Sequence, residues 1–261
     1  MVTLVRPATW WWPLGSPYGQ RPVLFFPPSG AEPSAARGLL GHGAGLRFGV
    51  LQLPGRGERL DEPAPTDLRP LIVDVADAVA ALDGPPALLV GHSFGGLLAY
   101  GVTAELEDRG TPVARLITVA SVSPSSWTAE LAADRAAHTG GLEDFVRRRS
   151  ALILANGGVP AELLAHPEFS ARAAELTRVD VGLSFGGFEP RVIQTPTTTV
   201  VARDDTVLAP GAGDGWGDIA AGDFRRFDVP GGHFFYRSAP GRLVAQIRMD
   251  LQSLDGGYEL G

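Results

Sequence analysis

Leu88-Leu89-Val90-Gly91-His92-Ser93-Phe94-Gly95-Gly96 carries an apolar strand straight into Gly-x-Ser-x-Gly and then, from about Leu97 to Leu106, into a helix. That order of strand, tight turn and helix builds a nucleophile elbow. Glycines two before and two after the serine leave room for strand and helix to approach closely, and the hydroxyl is presented outward. The N-terminal amides of the helix lie beside the serine, where they can stabilise negative charge developing on a substrate oxygen. Ser93 is therefore the candidate nucleophile.

A second stretch, Gly182-Leu183-Ser184-Phe185-Gly186, fits the same pattern and repeats Ser-Phe-Gly-Gly. With 34 glycines in 261 residues a bare pattern match is weak, so context separates the two. Upstream of Ser184 the run Glu175 to Asp180 is charged and lacks an apolar strand, and downstream Glu189-Pro190 cannot continue a helix from its first turn. Ser184 is read as a decoy.

The composition narrows the chemistry further. No cysteine is present, which removes thiol nucleophiles, disulfides and Cys-based metal sites. Every one of the 22 basic residues is arginine, so no lysine Schiff base, P-loop lysine or Ser-Lys dyad is available. Neither a cofactor nor a metal is expected. A net charge of −7 gives no general attraction to nucleic acid or to an anionic membrane. Met1 to Gly15, with Trp10-Trp11-Trp12 between Pro7 and Pro13, has no long apolar core ending in a small-residue cleavage site, so no signal peptide is read and the cytoplasm is the expected location. The tryptophans read as a packed cap on the first strand.

Val23 to Phe26, Gly49 to Leu53, Ala87 to Val90, Leu116 to Ala120, Thr197 to Ala202 and Phe224 to Val229 read as strands. They alternate with helical patterns from Asp67, near 95–108 and near 239–254, which implies an α/β fold: a mostly parallel central sheet with helices on both faces. Residues 125–190 break the alternation with successive helical segments, Trp127 to His138, Leu142 to Leu154, Pro160 to His166 and Phe169 to Leu176. This stretch is expected to be a helical lid within one domain spanning 1–261, lying over the catalytic edge and shaping a pocket.

A serine hydroxyl needs a base, and the base needs an orienting acid. Of five histidines, His233 lies in Pro230-Gly231-Gly232-His233-Phe234-Phe235, a loop just after a strand and late in the chain, as the order Ser, acid, His requires. His42, His138 and His166 fall in a connector or at lid helix ends, and His92 sits on the elbow with its ring expected to point away from Ser93. After the strand Thr197 to Ala202, Asp204 and Asp205 both qualify as the acid; Asp205 is favoured because a short turn brings it to the strand's lip. For the oxyanion, the amide of Phe94 should be one donor and the loop Phe26-Pro27-Pro28-Ser29-Gly30 should supply the other. Prolines cannot donate, which leaves Ser29 or Gly30, and Ser29 is chosen.

Taken in order, Phe25-Phe26-Pro27, Gln52-Leu53-Pro54-Gly55-Arg56-Gly57-Glu58-Arg59-Leu60, Gly91 to Gly96, Gly157-Gly158-Val159-Pro160 and Gly231 to Phe235 give a chain that resembles the type II thioesterases accompanying modular polyketide and nonribosomal peptide synthases. The resemblance implies the α/β-hydrolase fold, Ser93, Asp205 and His233 as nucleophile, acid and base, and the insertion as the family's lid. It implies as substrate an acyl thioester on the phosphopantetheine arm of an acyl or peptidyl carrier domain. That family usually has Pro-x-Ala-Gly-Gly where this chain has Pro27-Pro28-Ser29-Gly30-Ala31, so Ser29 stands at the alanine position. A monomer is expected, with Arg147-Arg148-Arg149 as a candidate docking patch against a solvated helix face, and Arg56 and Arg59 expected to pair with Glu58 and Asp61. The competing readings are a carboxylesterase acting on free small esters and a non-catalytic binding protein of the same fold.

Overall fold

The central strands are buried along their whole length because both faces of the sheet are covered there. In the computed structural model, which describes residues 9–14, 21–39, 41–43, 45–158 and 165–255, seven strands form one sheet in the order β1-β3-β2-β4-β5-β6-β7. They are β1 (Trp11–Pro13), β2 (Pro22–Phe26), β3 (Arg47–Leu51), β4 (Leu88–His92), β5 (Arg115–Val119), β6 (Thr197–Ala202) and β7 (Phe224–Val229). β1 runs antiparallel to β3 at one edge, and every other pairing is parallel. Alternate residues feed opposite cores: Leu24, Phe26, Leu89 and Leu116 face one, while Val23, Phe25, Val90, Ile117 and Val119 face the other.

The first core is closed by α1 (Leu68–Ala80) and α2 (Phe94–Asp108), the second by α6 (Pro240–Asp255) and a 3-10 helix at Pro33–Leu39. α1 starts where the Asp67 side chain accepts the Arg69 N–H, and it turns Leu71, Ile72, Val75, Ala76 and Val79 inward. Between β5 and β6 come α3 (Pro124–Ala137), α4 (Gly141–Ala155) and α5 (Pro167–Ser184). This is the α/β-hydrolase arrangement that the sequence implied.

Several boundaries differ from the sequence reading. α2 begins at Phe94 directly after the elbow serine, and α5 continues past Leu176 to Ser184. Its inner face is Leu176, Thr177, Asp180, Val181, Leu183 and Ser184, a helical stripe disguised by a threonine and an aspartate. The segment expected as a helix over Pro160 to His166 lies outside the described residues up to position 164. Trp11 and Trp12 lie in β1, an edge strand absent from the sequence reading, so they are part of the sheet and not a cap on its first strand. Trp11 packs edge-on against Phe26 at 5.8 Å, and Trp10 and Trp12 receive the guanidinium groups of Arg59 and Arg37. No helix among the described residues is long and apolar enough to cross a membrane.

Polar groups also pin α6 to the sheet. Asp250, fully buried on α6, accepts from Thr198 Oγ1 at 3.2 Å and Gln246 Nε2 at 3.0 Å, with Arg115 Nε at 3.7 Å. Removing that carboxylate leaves the buried Arg115 with Asp223 at 2.7 Å as its ion-pair partner. Asp250→Ala therefore costs mainly the hydrogen bonds of the buried Thr198 hydroxyl and Gln246 amide and is expected to destabilise by about 2 kcal/mol; urea unfolding that moves by less than about 0.5 kcal/mol would count against this anchoring role.

Candidate active site

At the elbow the strand β4 and helix α2 meet at Ser93, whose φ of 55° and ψ of −123° lie in a region that non-glycine residues rarely occupy. Close backbone approach makes the turn possible. A Cβ on Gly95 would sit 2.1 Å from the Phe26 carbonyl oxygen, and one on Gly91 would sit 2.3 Å from the Gly95 carbonyl oxygen. Because Phe26 is in register with Gly91, the exit of β2 and its loop press against the start of α2. Ser121 Oγ donates to the Ser93 carbonyl at 2.8 Å, and Ser121 is itself held through its carbonyl by the buried Trp216 Nε1 at 2.9 Å.

The candidate base and acid sit on loops after β7 and β6. His233 Nδ1 lies 2.7 Å from Asp205 Oδ2, and Asp205 Oδ1 accepts the N–H groups of Val207 at 2.8 Å and Leu208 at 3.0 Å. Burial pushes the Asp205 carboxyl up, but its bond to His233, the His233 charge and the two amides outweigh this and hold it below the ordinary carboxylate range. Asp204 does something else: its Oδ2 accepts the Gly231 N–H at 2.9 Å, and its own N–H donates to the Gly231 carbonyl at 3.1 Å. The two aspartates thus share the task, one holding the ring and the other the turn before it.

His92 joins this loop to the elbow. The sequence reading turned its ring away from Ser93, and the ring does run under the site into the core, fully buried, with Nε2 2.9 Å from the His233 carbonyl and Nδ1 3.4 Å from the Tyr236 hydroxyl. One neutral tautomer satisfies both contacts, with Nε2–H donating to the carbonyl and the tyrosine donating to Nδ1. Burial first, and the nearby His233 second, keep His92 well below the usual imidazole range. The His92 and His233 rings stand 4.8 Å apart between centroids. Among the described residues no hydrogen bond joins Ser93 Oγ to the His233 ring, and Nε2 of His233 is left unengaged by the bond to Asp205. His42 and His138 are exposed, and His166 is exposed at the start of α5.

Ser29, Ser93 and Phe94 line one small cavity of about 30 Å³, walled by apolar side chains that include Leu97, Val122 and Val181 and by Trp127 and Arg149. Space for about two waters is all that volume offers. The two candidate oxyanion residues therefore share one cavity with the serine. Between Ser29 and Gly30 the structure draws a distinction: the Gly30 N–H donates to Asp180 Oδ2 at 2.7 Å, whereas the Ser29 N–H has no partner among the described residues. Ser184, the decoy, ends α5 with its hydroxyl on the Val181 carbonyl at 2.7 Å.

Arginines also find partners different from those expected. Arg56 pairs with Asp180, and Arg59 pairs with Glu62 at 2.6 Å; Glu58 and Asp61 take neither. In the arginine run of α4, Arg147 pairs with Asp144, Arg148 with Asp134 at 2.6 Å and with Asp144, and Arg149 with Glu130 at 3.3 Å. That patch is largely neutralised within the three inserted helices. No cluster among the described residues could hold a metal ion.

A thioesterase domain family model matches residues 21–251. Among curated proteins the chain is 29% identical over 248 residues to the AMB antimetabolite synthetase AmbE of Pseudomonas aeruginosa, covering 94% of this chain and 11% of that protein. It is 29% identical over 196 residues to the probable cadicidin biosynthesis thioesterase of Streptomyces griseus, covering 71% of this chain and 49% of the relative. The chain thus spans about a tenth and about half the length of these two relatives. Among solved structures, the RedJ thioesterase from the prodiginine pathway of Streptomyces coelicolor superposes with a TM-score of 0.72 at 27% identity, over 95% of this chain and 98% of that one.

The buried His92 makes a pH prediction. Its folded pKa is depressed, so below about pH 6.5 the unfolded chain binds a proton that the folded chain does not, and stability falls with pH from there down to the folded pKa. Replacing it, as in His92→Gln, should flatten that acid limb. Between about pH 7.5 and about pH 5, urea unfolding of the wild type should lose up to about 2 kcal/mol more than the variant does; parallel limbs would refute the linkage.

Proposed function

This chain belongs to the thioesterase domain family, and from that premise we propose that it hydrolyses acyl thioesters carried on the phosphopantetheine arm of acyl or peptidyl carrier domains of a polyketide or nonribosomal peptide synthase. Ser93 is the nucleophile, His233 the base, Asp205 the orienting acid, and the Phe94 and Ser29 amides are the oxyanion donors. The observation that carries this reading is the 2.7 Å contact of Asp205 with His233 Nδ1 on a loop that His92 ties to the elbow. It holds the ring with Nε2 available for the serine proton.

In the first half-reaction His233 Nε2 takes the Ser93 proton as the hydroxyl attacks the thioester carbonyl, and the amides hold the oxyanion. The C–S bond then breaks, and the pantetheine sulfur leaves with the proton carried by His233. Water, deprotonated by the same nitrogen, attacks the acyl-serine; the carboxylic acid departs and Ser93 regains its proton. Because thiolate is a good leaving group, deacylation governs the rate. Asp205 stays ionised throughout, as its depressed pKa requires.

Helices α3, α4 and α5 act as the lid, since Trp127, Arg149 and Val181 wall the cavity at Ser93. A carrier domain must dock on a chain of net charge −7, whose α4 arginines are already paired, so long-range steering contributes little.

Intact-mass analysis of carrier proteins loaded with short, long and branched acyl groups tests the reading. Wild-type protein should return the free pantetheine form, and Ser93→Ala should lose at least about 10³-fold in rate. A free ester of equal chain length turned over as fast as the carrier-bound thioester would instead favour a general esterase, and no deacylation with unlabelled Ser93 after fluorophosphonate treatment would favour a binding protein.

A further inference from the structure

Asp180 is a buried carboxylate that hydrolysis does not use, and Arg56 is a motif arginine that the catalytic reading left without a task. They grip each other with two bonds, Arg56 Nη2 to Asp180 Oδ1 at 2.6 Å and Nη1 to Oδ2 at 2.9 Å, with side chains 2% and 1% exposed. An ion pair this deep is weak evidence for stability, because apolar side chains of similar volume often do as well. What an apolar pair could not do is accept a backbone N–H, and Asp180 Oδ2 accepts that of Gly30 at 2.7 Å. Arg56 Nη1 also donates to the Ala31 carbonyl at 3.2 Å. Two consecutive residues of the loop after β2 are thus fixed by α5 and by the Pro-Gly-Arg loop together.

The seating is steric as well as polar. Gly30 has φ +77°, and a Cβ there would lie 2.0 Å from Thr177 Oγ1, one turn before Asp180 on the same helix. By occupying the Gly30 N–H, the carboxylate leaves the Ser29 N–H as the neighbouring amide of the loop with no partner among the described residues.

We propose that Asp180 and Arg56 are positioning residues for the oxyanion hole: the arginine-clamped carboxylate locks the Gly30–Ala31 backbone so that the Ser29 N–H is aimed at the carbonyl oxygen of the thioester attacked by Ser93. The proposal rests on the hydrolytic function above. It has a consequence for the lid. Val181, next to Asp180, and Ser184, one turn on, line the cavity at Ser93, so α5 carries both a wall of the acyl site and the anchor of an oxyanion donor. An acyl group that pushes α5 off its seat loses that donor, and one that leaves α5 seated keeps it. Acyl selectivity is then expressed in turnover more than in binding.

Two variants of the full chain test this. In Asp180→Asn one amide cannot serve both partners: if its oxygen takes the Gly30 N–H, its NH₂ group faces the Arg56 fork. In Arg56→Lys a buried positive charge remains to pair with Asp180, but the two-pronged grip is lost. Rates with an acyl-pantetheine thioester are normalised to Ser93 sites titrated by fluorophosphonate end point. Affinity is measured for an alkylboronic acid, which adds to the serine as a tetrahedral adduct with an oxygen in the oxyanion site. Asp180→Asn should lower kcat about 10²-fold and weaken boronate binding by a similar factor, with KM within about twofold of wild type; Arg56→Lys should fall between. Should kcat per titrated site and boronate affinity stay at wild-type values while the Tm alone drops, the pair is structural and the proposal is overturned. If Asp180→Asn does not fold, Arg56→Lys decides by the same two ratios. A Ser93→Ala control that still turned over would overturn the hydrolytic reading and this one with it; a dead Ser93→Ala beside a fully active Asp180→Asn sinks only the positioning role.

Discussion

Everything at the site depends on how closely three backbones approach one another around Ser93. The carbonyl of Phe26 lies where a side chain on Gly95 would begin, and the carbonyl of Gly95 lies where one on Gly91 would begin. That contact draws together the end of β4, the start of α2 and the loop leaving β2, so that Ser93, Phe94 and Ser29 line one small cavity. The strain of a non-glycine residue at φ 55° is held there by the sheet on one side and by the Ser121 hydroxyl on the other.

Around this kernel, polar groups do the aiming and apolar groups do the holding. Asp205 fixes the ring of His233, Asp204 fixes the turn before it, and His92 fixes its carbonyl from beneath. A neutral His92 serves both of its contacts, because an imidazolium would still donate to the His233 carbonyl but could not accept from the Tyr236 hydroxyl. On the opposite side Asp180 and Arg56 do for the loop after β2 what Asp204 does for the loop that carries His233. Both loops are steered by carboxylates that accept a backbone N–H from a glycine.

The central strands were readable in the chain because they are buried on both faces and so appear as short continuous apolar runs closed by Pro, Gly or polar turns, whereas β1, three residues ending in a proline, was not. Elements whose buried faces are apolar, such as α1 with Leu71, Ile72, Val75 and Val79, were legible for the same reason. Where burial is achieved by pairing, the signal failed. α5 buries Asp180 and Thr177, so a pattern based on hydrophobicity ended that helix at Leu176, eight residues short. The arginines of α4 and of the Pro-Gly-Arg loop were recognised as charged, but which acids they meet is a matter of distant chain segments: Arg56 finds Asp180, 124 residues away.

From sequence alone, the order strand, Gly-x-Ser-x-Gly, helix, the late Gly-Gly-His loop and the absence of cysteine and lysine determined the fold class and narrowed the candidate residues to a serine, a late histidine and two adjacent aspartates, because those features act locally or by exclusion. Only the folded chain decided between neighbours of like chemistry, setting Asp205 on the imidazole and Asp204 on Gly231, and leaving the amide of Ser29 open while that of Gly30 is taken. Adjacent residues look alike in composition and spacing, and hydrogen-bond direction separates them only once strands, loops and a distant helix have been brought within about 3 Å of each other.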